Sequence, residues 1–126
     1  MRLLFLILCV SFLCSCSGQP KSCTKFKTGT FIYNHPDYKG HIIKRNDSLQ
    51  IEYNDKDAIK IISYVKWVSD CEFILTYKDI ENYSKKESVI GREISVKILE
   101  TSDDSYTCHV TSDIIDEVLK FSKVED

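Results

Sequence analysis

The chain has 126 residues, with 17 lysines and arginines against 19 aspartates and glutamates, and its formal net charge is −2 at pH 7. A length of this order suits one domain. The slightly acidic balance provides no basic surface for a nucleic-acid backbone, so nucleic acid is excluded as a predicted partner.

The first segment has the pattern of an export signal. Residues 3–13 are apolar apart from Ser11, a single Arg2 precedes them, and small and polar residues follow. A membrane-spanning helix would need about 20 apolar residues, and this run is shorter. We therefore predict that residues 1–15 are a signal peptide that is cleaved, and that the mature chain is exported to the cell envelope.

The cysteines near the cleavage zone indicate how the chain is held there. Residues 13–16 resemble a bacterial lipobox, in which a leucine and a small residue precede the cysteine that is lipidated. Cys16 follows a serine, whereas Cys14 and Cys9 each follow a bulky leucine. The prediction is a lipid at Cys16, with more than the two acyl chains that already anchor a protein stably. Ordinary signal cleavage after Ser17 is the alternative.

The remaining cysteines limit the disulfides. Residues 16–22 are predicted to form a polar tether, and residues 23–126 a single domain in an oxidising compartment. That domain holds Cys23, Cys71 and Cys108, so at most one internal disulfide forms. A Cys23–Cys71 bridge is favoured because Cys108 lies in the middle of a predicted strand, where a free thiol packs as a small hydrophobe. A pair that involves Cys108 is the alternative.

Short alternating segments separated by turn residues run through this domain. Clusters of Asn, Asp, Gly and Ser lie between the segments, and residues 78–91 are polar and irregular, with room for one helical turn. The predicted strands are residues 26–33, 41–45, 49–53, 58–68, 71–77, 92–100 and 106–112.

The tail leaves two interpretations open. Residues 112–124 fit a helix capped by Ser112 or Asp113, and they fit a last strand equally well. Many short antiparallel strands with tight turns favour a meander that curls or closes, because bare edges are a liability. The predicted fold is all-β, an antiparallel meander of seven or eight strands, barrel-like or half-barrel.

Several segments together resemble a family of small envelope lipoproteins. These are residues 23–31, 65–75 and 96–106, with the family patterns C-x-x-F-K-T-G-x-F and W-V-x-D-C-E-F/Y-x-L, together with Arg45 and residues 49–52. The resemblance implies an all-β domain whose tail is a strand, and it implies no established activity. Such chains are sometimes labelled DNA topoisomerase IV. An exported acidic domain has no room for the DNA-binding core and ATPase machinery of that enzyme.

Arg45 is the charged residue that we single out, because it is among the residues that resemble the lipoprotein family. It is a possible contact residue for a partner, and a solvated arginine at the end of a strand is the alternative. Gly29 lies inside a predicted strand, where glycine marks a bend, a bulge or a close approach of the backbone, and we favour a bend.

Other candidate residues have simpler interpretations. His35, Asp37 and His41 have a ligand-like spacing, but a metal would need further ligands, so solvated turn residues are predicted. The acidic pairs 55/57 and 103/104 lack the spacing of a calcium loop and are predicted to be turns. A larger set of aromatic residues could line a ligand cavity, although residues on an alternating face are more often core: Phe31, Trp67, Phe73 and Tyr106.

The sequence has no nucleophile elbow, phosphate loop or metalloprotease motif. We therefore predict a non-enzymatic binding module without cofactor or metal, anchored to the membrane through Cys16. Its partner would be an unidentified protein or a small apolar ligand. The alternative is a lipid-anchored inhibitor of a periplasmic or foreign hydrolase, which would act through a protruding loop instead of a cavity.

Overall fold

A computed structural model of the protein describes residues 21–54 and 56–126. The predicted signal peptide (residues 1–15), the predicted lipidation site Cys16 and Asp55 lie outside the described residues. Within the described part of the chain, no helix combines the length and the apolar character that crossing a bilayer would require.

Eight antiparallel strands form a closed barrel in which each strand pairs with the next and the last pairs with the first. The prediction of an all-β meander is confirmed, and the half-barrel alternative is wrong because the sheet closes. The strands are β1 (Gly29–Tyr33), β2 (His41–Arg45), β3 (Leu49–Asn54), β4 (Lys60–Ser69), β5 (Glu72–Glu81), β6 (Glu93–Thr101), β7 (Ser105–Thr111) and β8 (Asp116–Glu125). Within residues 21–54 and 56–126, three short 3₁₀ helices accompany them: η1 (Cys23–Phe26), η2 (Pro36–Tyr38) and η3 (Lys86–Ser88).

The tail is a strand, as the resemblance implied, and the helical interpretation is wrong. β8 is hydrogen-bonded to β1 on one side and to β7 on the other, so it closes two edges that a helix would leave bare. The apolar residues that suggested a helix divide between the two faces. Val118 is 62 % exposed, whereas Leu119 packs against the core.

The two ends of the barrel differ. We call one the closed end; it holds η1 and the short turns after β2, β4 and β6. The opposite end, called the open end, holds η2, η3 and the turn between β7 and β8. The predicted first strand began too early, because Cys23–Phe26 turns across the closed end as η1 and buries Phe26 completely.

A disulfide and an aromatic core hold the closed end together. The sulfur atoms of Cys23 and Cys71 are 2.05 Å apart, which confirms this pairing. Cys108 is buried and free, so the alternative pairing is wrong. The largest fully buried side chains are Phe26, Phe31, Phe73, Ile98, Tyr106 and Cys108.

Gly29 permits a close approach between β1 and β8. Its φ is +133°, and a Cβ atom there would lie 2.7 Å from the carbonyl oxygen of Glu125 and 2.7 Å from the Lys123 side chain. The β1–β8 register shifts between Thr30 and Phe31, one residue further on. A close approach and a register shift therefore accompany this glycine, and the favoured bend stays a prediction.

β3 presents its polar side chains to the interior. Gln50 and Asn54 are 6 % and 8 % exposed, and Glu52 lies between them on the same face. Leu49 and Ile51 face outward and are only half-buried. The residue alternation in this strand is regular, but the polar set is the one that lines the barrel.

Candidate functional site

The barrel encloses a cavity of about 300 Å³ between its closed-end core and its open end. Side chains from the strands and from η2 line it, and most are apolar. The apolar wall consists of Ile43, Ile61, Leu75, Ile94, Val96, Val110, Leu119 and Phe121. The polar groups of the lining lie at the two extremities, on the floor and at the mouth.

Arg45 forms the floor, where it is 4 % exposed. Its Nε donates to the Lys27 carbonyl at 3.1 Å, and its Nη1 donates to Gln50 Oε1 at 2.8 Å. Its Nη2 donates to the Phe26 carbonyl at 2.8 Å and to the Tyr106 hydroxyl at 3.2 Å. The alternative of a solvated strand-end arginine is therefore wrong: this side chain ties η1 to the barrel.

Aromatic rings enclose the Arg45 guanidinium. Its central carbon lies 4.5 Å from the ring centroid of Phe31 and 4.6 Å from that of Phe73. Arginine suits this place because its planar, weakly hydrated cation stacks on rings while its edge donates hydrogen bonds. Burial raises the pKa of Tyr106, although the nearby Arg45 charge opposes that shift.

Burial also raises the pKa of the Cys108 thiol, to about 12, against the opposing effect of the Arg45 charge. The thiolate is the nucleophilic form of cysteine, so this thiol is unreactive near neutral pH. The prediction that Cys108 packs as a small hydrophobe fits its full burial between β7 neighbours.

A hydrogen-bonded group centred on Glu52 lies at the mouth of the cavity. The Tyr33 hydroxyl donates to Glu52 Oε1 at 2.7 Å, and His41 Nδ1 lies 3.4 Å from the same oxygen. Burial raises the pKa of the Glu52 carboxyl, and the contacts with Tyr33 and His41 oppose that rise. The pKa of the Tyr33 hydroxyl is raised by its burial and by the neighbouring Glu52 charge.

A second carboxylate with a tyrosine partner lies at the rim. The Tyr38 hydroxyl, on η2, is 3.3 Å from Glu117 Oε2 on β8. The rings of Tyr33 and Tyr38 stack with centroids 4.7 Å apart and planes at 27°. His41 meets both rings edge-on, with centroids 5.9 Å and 6.0 Å away. The mouth therefore combines aromatic faces with two acidic side chains.

The aromatic residues predicted as core occupy different places. Phe31, Phe73 and Tyr106 are buried, and two of these, Phe73 and Tyr106, also line the cavity floor. Trp67 is half-buried and packs on Phe73 with ring centroids 4.5 Å apart, outside the cavity lining. The core interpretation holds for the buried three, and the cavity interpretation applies to Phe73 and Tyr106 only.

The three residues with ligand-like spacing also differ in their outcome. His35 and Asp37 are exposed, and His35 Nδ1 accepts a hydrogen bond from the Asp37 amide at 3.1 Å, as expected of turn residues. The same prediction is wrong for His41, which starts β2 and faces Glu52. The described residues include no group of three or more His, Cys, Asp or Glu side chains that could hold a metal ion.

The sequence did not predict a site at the mouth, which consists of Tyr33, Tyr38, Glu52 and Glu117. One signal for this site was present, because the alternation in β3 places polar side chains on one face. Only the closure of the barrel shows that this face is the inner one. η2 adds Tyr38 from a turn whose position no periodicity predicts.

Comparison of the chain with protein-family models, with curated protein sequences and with solved structures found no match. The resemblance to small envelope lipoproteins therefore stays a prediction.

Proposed function

We propose that this chain is a lipid-anchored envelope protein whose barrel is a non-enzymatic binding module for a small, largely apolar ligand. The observation that carries the proposal is the cavity of about 300 Å³ inside the barrel. Small-molecule sites are concave, mostly apolar and equipped with a few polar groups that fix orientation, and their volumes run from about 300 to 1,000 Å³. Barrels of eight strands are just wide enough to hold one small ligand.

The distribution of polar groups supports entry from the open end. At the floor, Arg45 donates to the carbonyls of Phe26 and Lys27, and η1 covers the barrel below them. At the mouth, the polar lining residues Tyr38 and His41 are half-buried and Glu117 is exposed, so water reaches this end of the lining. A ligand would therefore place its apolar part inside and its polar part at the mouth.

The proposed anchor fits this direction of entry. The described chain begins at Lys21, next to η1, at the closed end. A lipid at Cys16 would attach the protein to the bilayer on that side, and the mouth would face the aqueous compartment. The ligand would then be collected from solution instead of being extracted directly from the bilayer.

The hydroxyl and thiol groups of the cavity region support the proposal of binding over catalysis. Catalysis usually needs a titratable pair poised for proton transfer or a nucleophile with an adjacent base. The cavity's hydroxyls are tyrosines with raised pKa values, and the nearby thiol of Cys108 also has a raised pKa. Because hydroxyls and thiols with raised pKa values are weak nucleophiles, they support a binding role for the barrel.

Fluorescence titration with N-phenyl-1-naphthylamine, an apolar dye that brightens in a dry pocket, tests this proposal. The circuit of strands closes within residues 29–125, so a chain that starts at Lys21 and carries the disulfide contains the complete sheet. Leu119 and Val118 are neighbours on β8 that face the cavity and the solvent respectively. Leu119→Trp fills the cavity, and Val118→Trp is its matched control.

We expect saturable dye binding by the wild type and by Val118→Trp, and at least about tenfold weaker binding by Leu119→Trp, as expected when the pocket is blocked. Equal binding by both variants, or no saturable binding by the wild type, would contradict the proposal. Leu119→Trp also distinguishes the proposed binding module from the alternative of a hydrolase inhibitor. An inhibitor that acts through a loop would keep its potency in Leu119→Trp, because the substitution leaves every turn unchanged.

A further inference from the structure

The polar groups of the cavity carry opposite charges at its two extremities. The mouth has the carboxylates of Glu52 and Glu117, and the floor has the guanidinium of Arg45. Among the described lining residues Arg45 is the sole lysine or arginine. The charge that a ligand meets therefore depends on which extremity is free to bind it.

The floor charge is already engaged. Four of the five N–H groups of the Arg45 guanidinium donate to protein acceptors, and the ring centroids of Phe31 and Phe73 lie 4.5 Å and 4.6 Å from its central carbon. A ligand carboxylate that paired with the guanidinium through two hydrogen bonds would have to displace a protein acceptor, and two of the four acceptors are the backbone carbonyls of Phe26 and Lys27. The floor is thus unsuited to an anionic group, and its positive charge also repels a cation from the bottom of the cavity.

The mouth carboxylates keep acceptor capacity. Both protein contacts of Glu52 go to Oε1, and the one contact of Glu117 goes to Oε2. The second oxygen of each carboxylate accepts no hydrogen bond from the described residues. An ionised carboxylate has about four lone-pair sites, so each of these groups can accept further donors.

The aromatic rings at the mouth add a second attraction for positive charge. Tyr33 and Tyr38 stack beside the carboxylates, and His41 meets both edge-on. The faces of such rings attract ammonium groups, more strongly where water is excluded. Carboxylates and tyrosine faces together are a combination that recognises organic cations.

From these contacts we infer that the ligand is a small apolar amine or ammonium compound. Its apolar part lies against the aliphatic wall, and its cationic end lies at the mouth between Glu52 and Glu117. This inference rests on the proposed function, and it adds the chemical class of the ligand's polar end.

Displacement of bound N-phenyl-1-naphthylamine by octylamine, octanol and octanoate tests the inference, because the three share one apolar chain and differ in their head groups. A hydrogen bond to a charged group contributes enough for about tenfold in affinity or more. We expect octylamine to bind about tenfold more tightly than octanol, and octanoate to bind most weakly.

Glu52→Gln should remove most of the octylamine advantage and leave octanol affinity unchanged, and Glu117→Gln should act in the same direction. Glu93→Gln is the matched control, since it removes the same charge from an exposed position at the start of β6. It should leave all three affinities unchanged.

Octanol or octanoate binding as tightly as octylamine would overturn the inference and leave the proposed function standing. An octylamine advantage that persists in both cavity variants would overturn it as well, because the charge would then be recognised elsewhere. A wild-type barrel that binds neither the dye nor any of the three probes would instead refute the proposed function.

Discussion

The closed and open ends of the barrel use the same kinds of residue in opposite ways. At the closed end, the charge of Arg45 is buried, stacked and hydrogen-bonded by four protein acceptors. At the open end, Glu52 is only partly enclosed, and its two protein contacts share one oxygen. Both charges line the same cavity, yet just one of them has its hydrogen-bonding capacity nearly filled by the protein itself.

The difference indicates that the closed end stabilises the fold and that the open end is the place for a ligand. A buried polar group that is fully paired supports a unique structure, whereas one left incompletely paired is destabilising unless something else binds it. The closed end should therefore respond to substitution mainly through the free energy of unfolding. The open end should respond mainly through ligand affinity.

The largest expected effect is the loss of the disulfide at the closed end. The bond joins residues 48 apart in sequence, and closing such a loop stabilises a fold by about 4 kcal/mol in the chain-entropy account. The double variant Cys23→Ser/Cys71→Ser should lower the free energy of unfolding by about that amount in urea titrations. A change below about 1 kcal/mol would show that η1 is held without it.

Arg45→Ala should have the next largest effect, a loss of about 3 kcal/mol. The substitution leaves the Phe26 and Lys27 carbonyls, the Gln50 side chain and the Tyr106 hydroxyl without their donor. Equilibrium unfolding measures the loss. Arg45→Lys is the control and should recover only part of it, because an ammonium cannot make the same planar set of contacts. Full stability in the alanine variant would refute the account of the floor.

Gly29→Ala should destabilise by about 2 kcal/mol, from strain at positive φ and from the overlap with β8. Gly91→Ala provides a comparison in which positive φ acts alone, since φ is +87° there and no atom lies within 4 Å of the added Cβ. Thermal unfolding of both variants separates the two contributions. Equal losses would mean that the β1–β8 contact near Gly29 relaxes freely.

Glu52→Gln should have the smallest effect on stability and the opposite sign. The pKa of Glu52 is raised in the folded state, so its contribution to stability is present below the unfolded pKa and is lost as pH rises through the folded value. At neutral pH the glutamine variant should be the more stable one. Unfolding measured from pH 7 to pH 4 should show that advantage shrinking as Glu52 takes up its proton.

The control for that experiment is Glu93→Gln, whose side chain is exposed at the start of β6. Its stability relative to the wild type should stay nearly constant over the same pH range. An advantage of Glu52→Gln that grows as the pH falls would contradict the assignment of Glu52 as a partly buried, destabilising carboxylate.

The sequence predicted the closed end better than the open end, and particular residues explain why. The parity of the cysteines and the strand position of Cys108 favoured the Cys23–Cys71 bond, and Gly29 marked a special position in its strand, where a close approach was one of the alternatives to the favoured bend. Local patterns carry such information. Arg45 was noticed, but its burial depends on η1 passing under the barrel, which no nearby residue encodes.

The arrangement of the open end is set by contacts between segments that are distant in sequence. In β3, Gln50 accepts a hydrogen bond from Arg45, and both Gln50 and Glu52 line the cavity. A strand's alternation does not say which face is the inner one. Tyr38 and Glu117 meet from segments 79 residues apart. The tail was ambiguous for the same reason, since its strand form is decided by two partners, β1 and β7.

The most direct test of the central claim is the pattern of amide chemical-shift changes when the ¹⁵N-labelled chain is titrated with octylamine. If the open end binds the ligand, the changes should concentrate on Tyr33, His41 and Glu52 and on the turn before Glu117. The amides of Phe26, Cys71 and Ser105 at the closed end should stay within a small fraction of those changes. Changes centred on the closed end or on the outer face of β8, or no saturable change at all, would contradict the account.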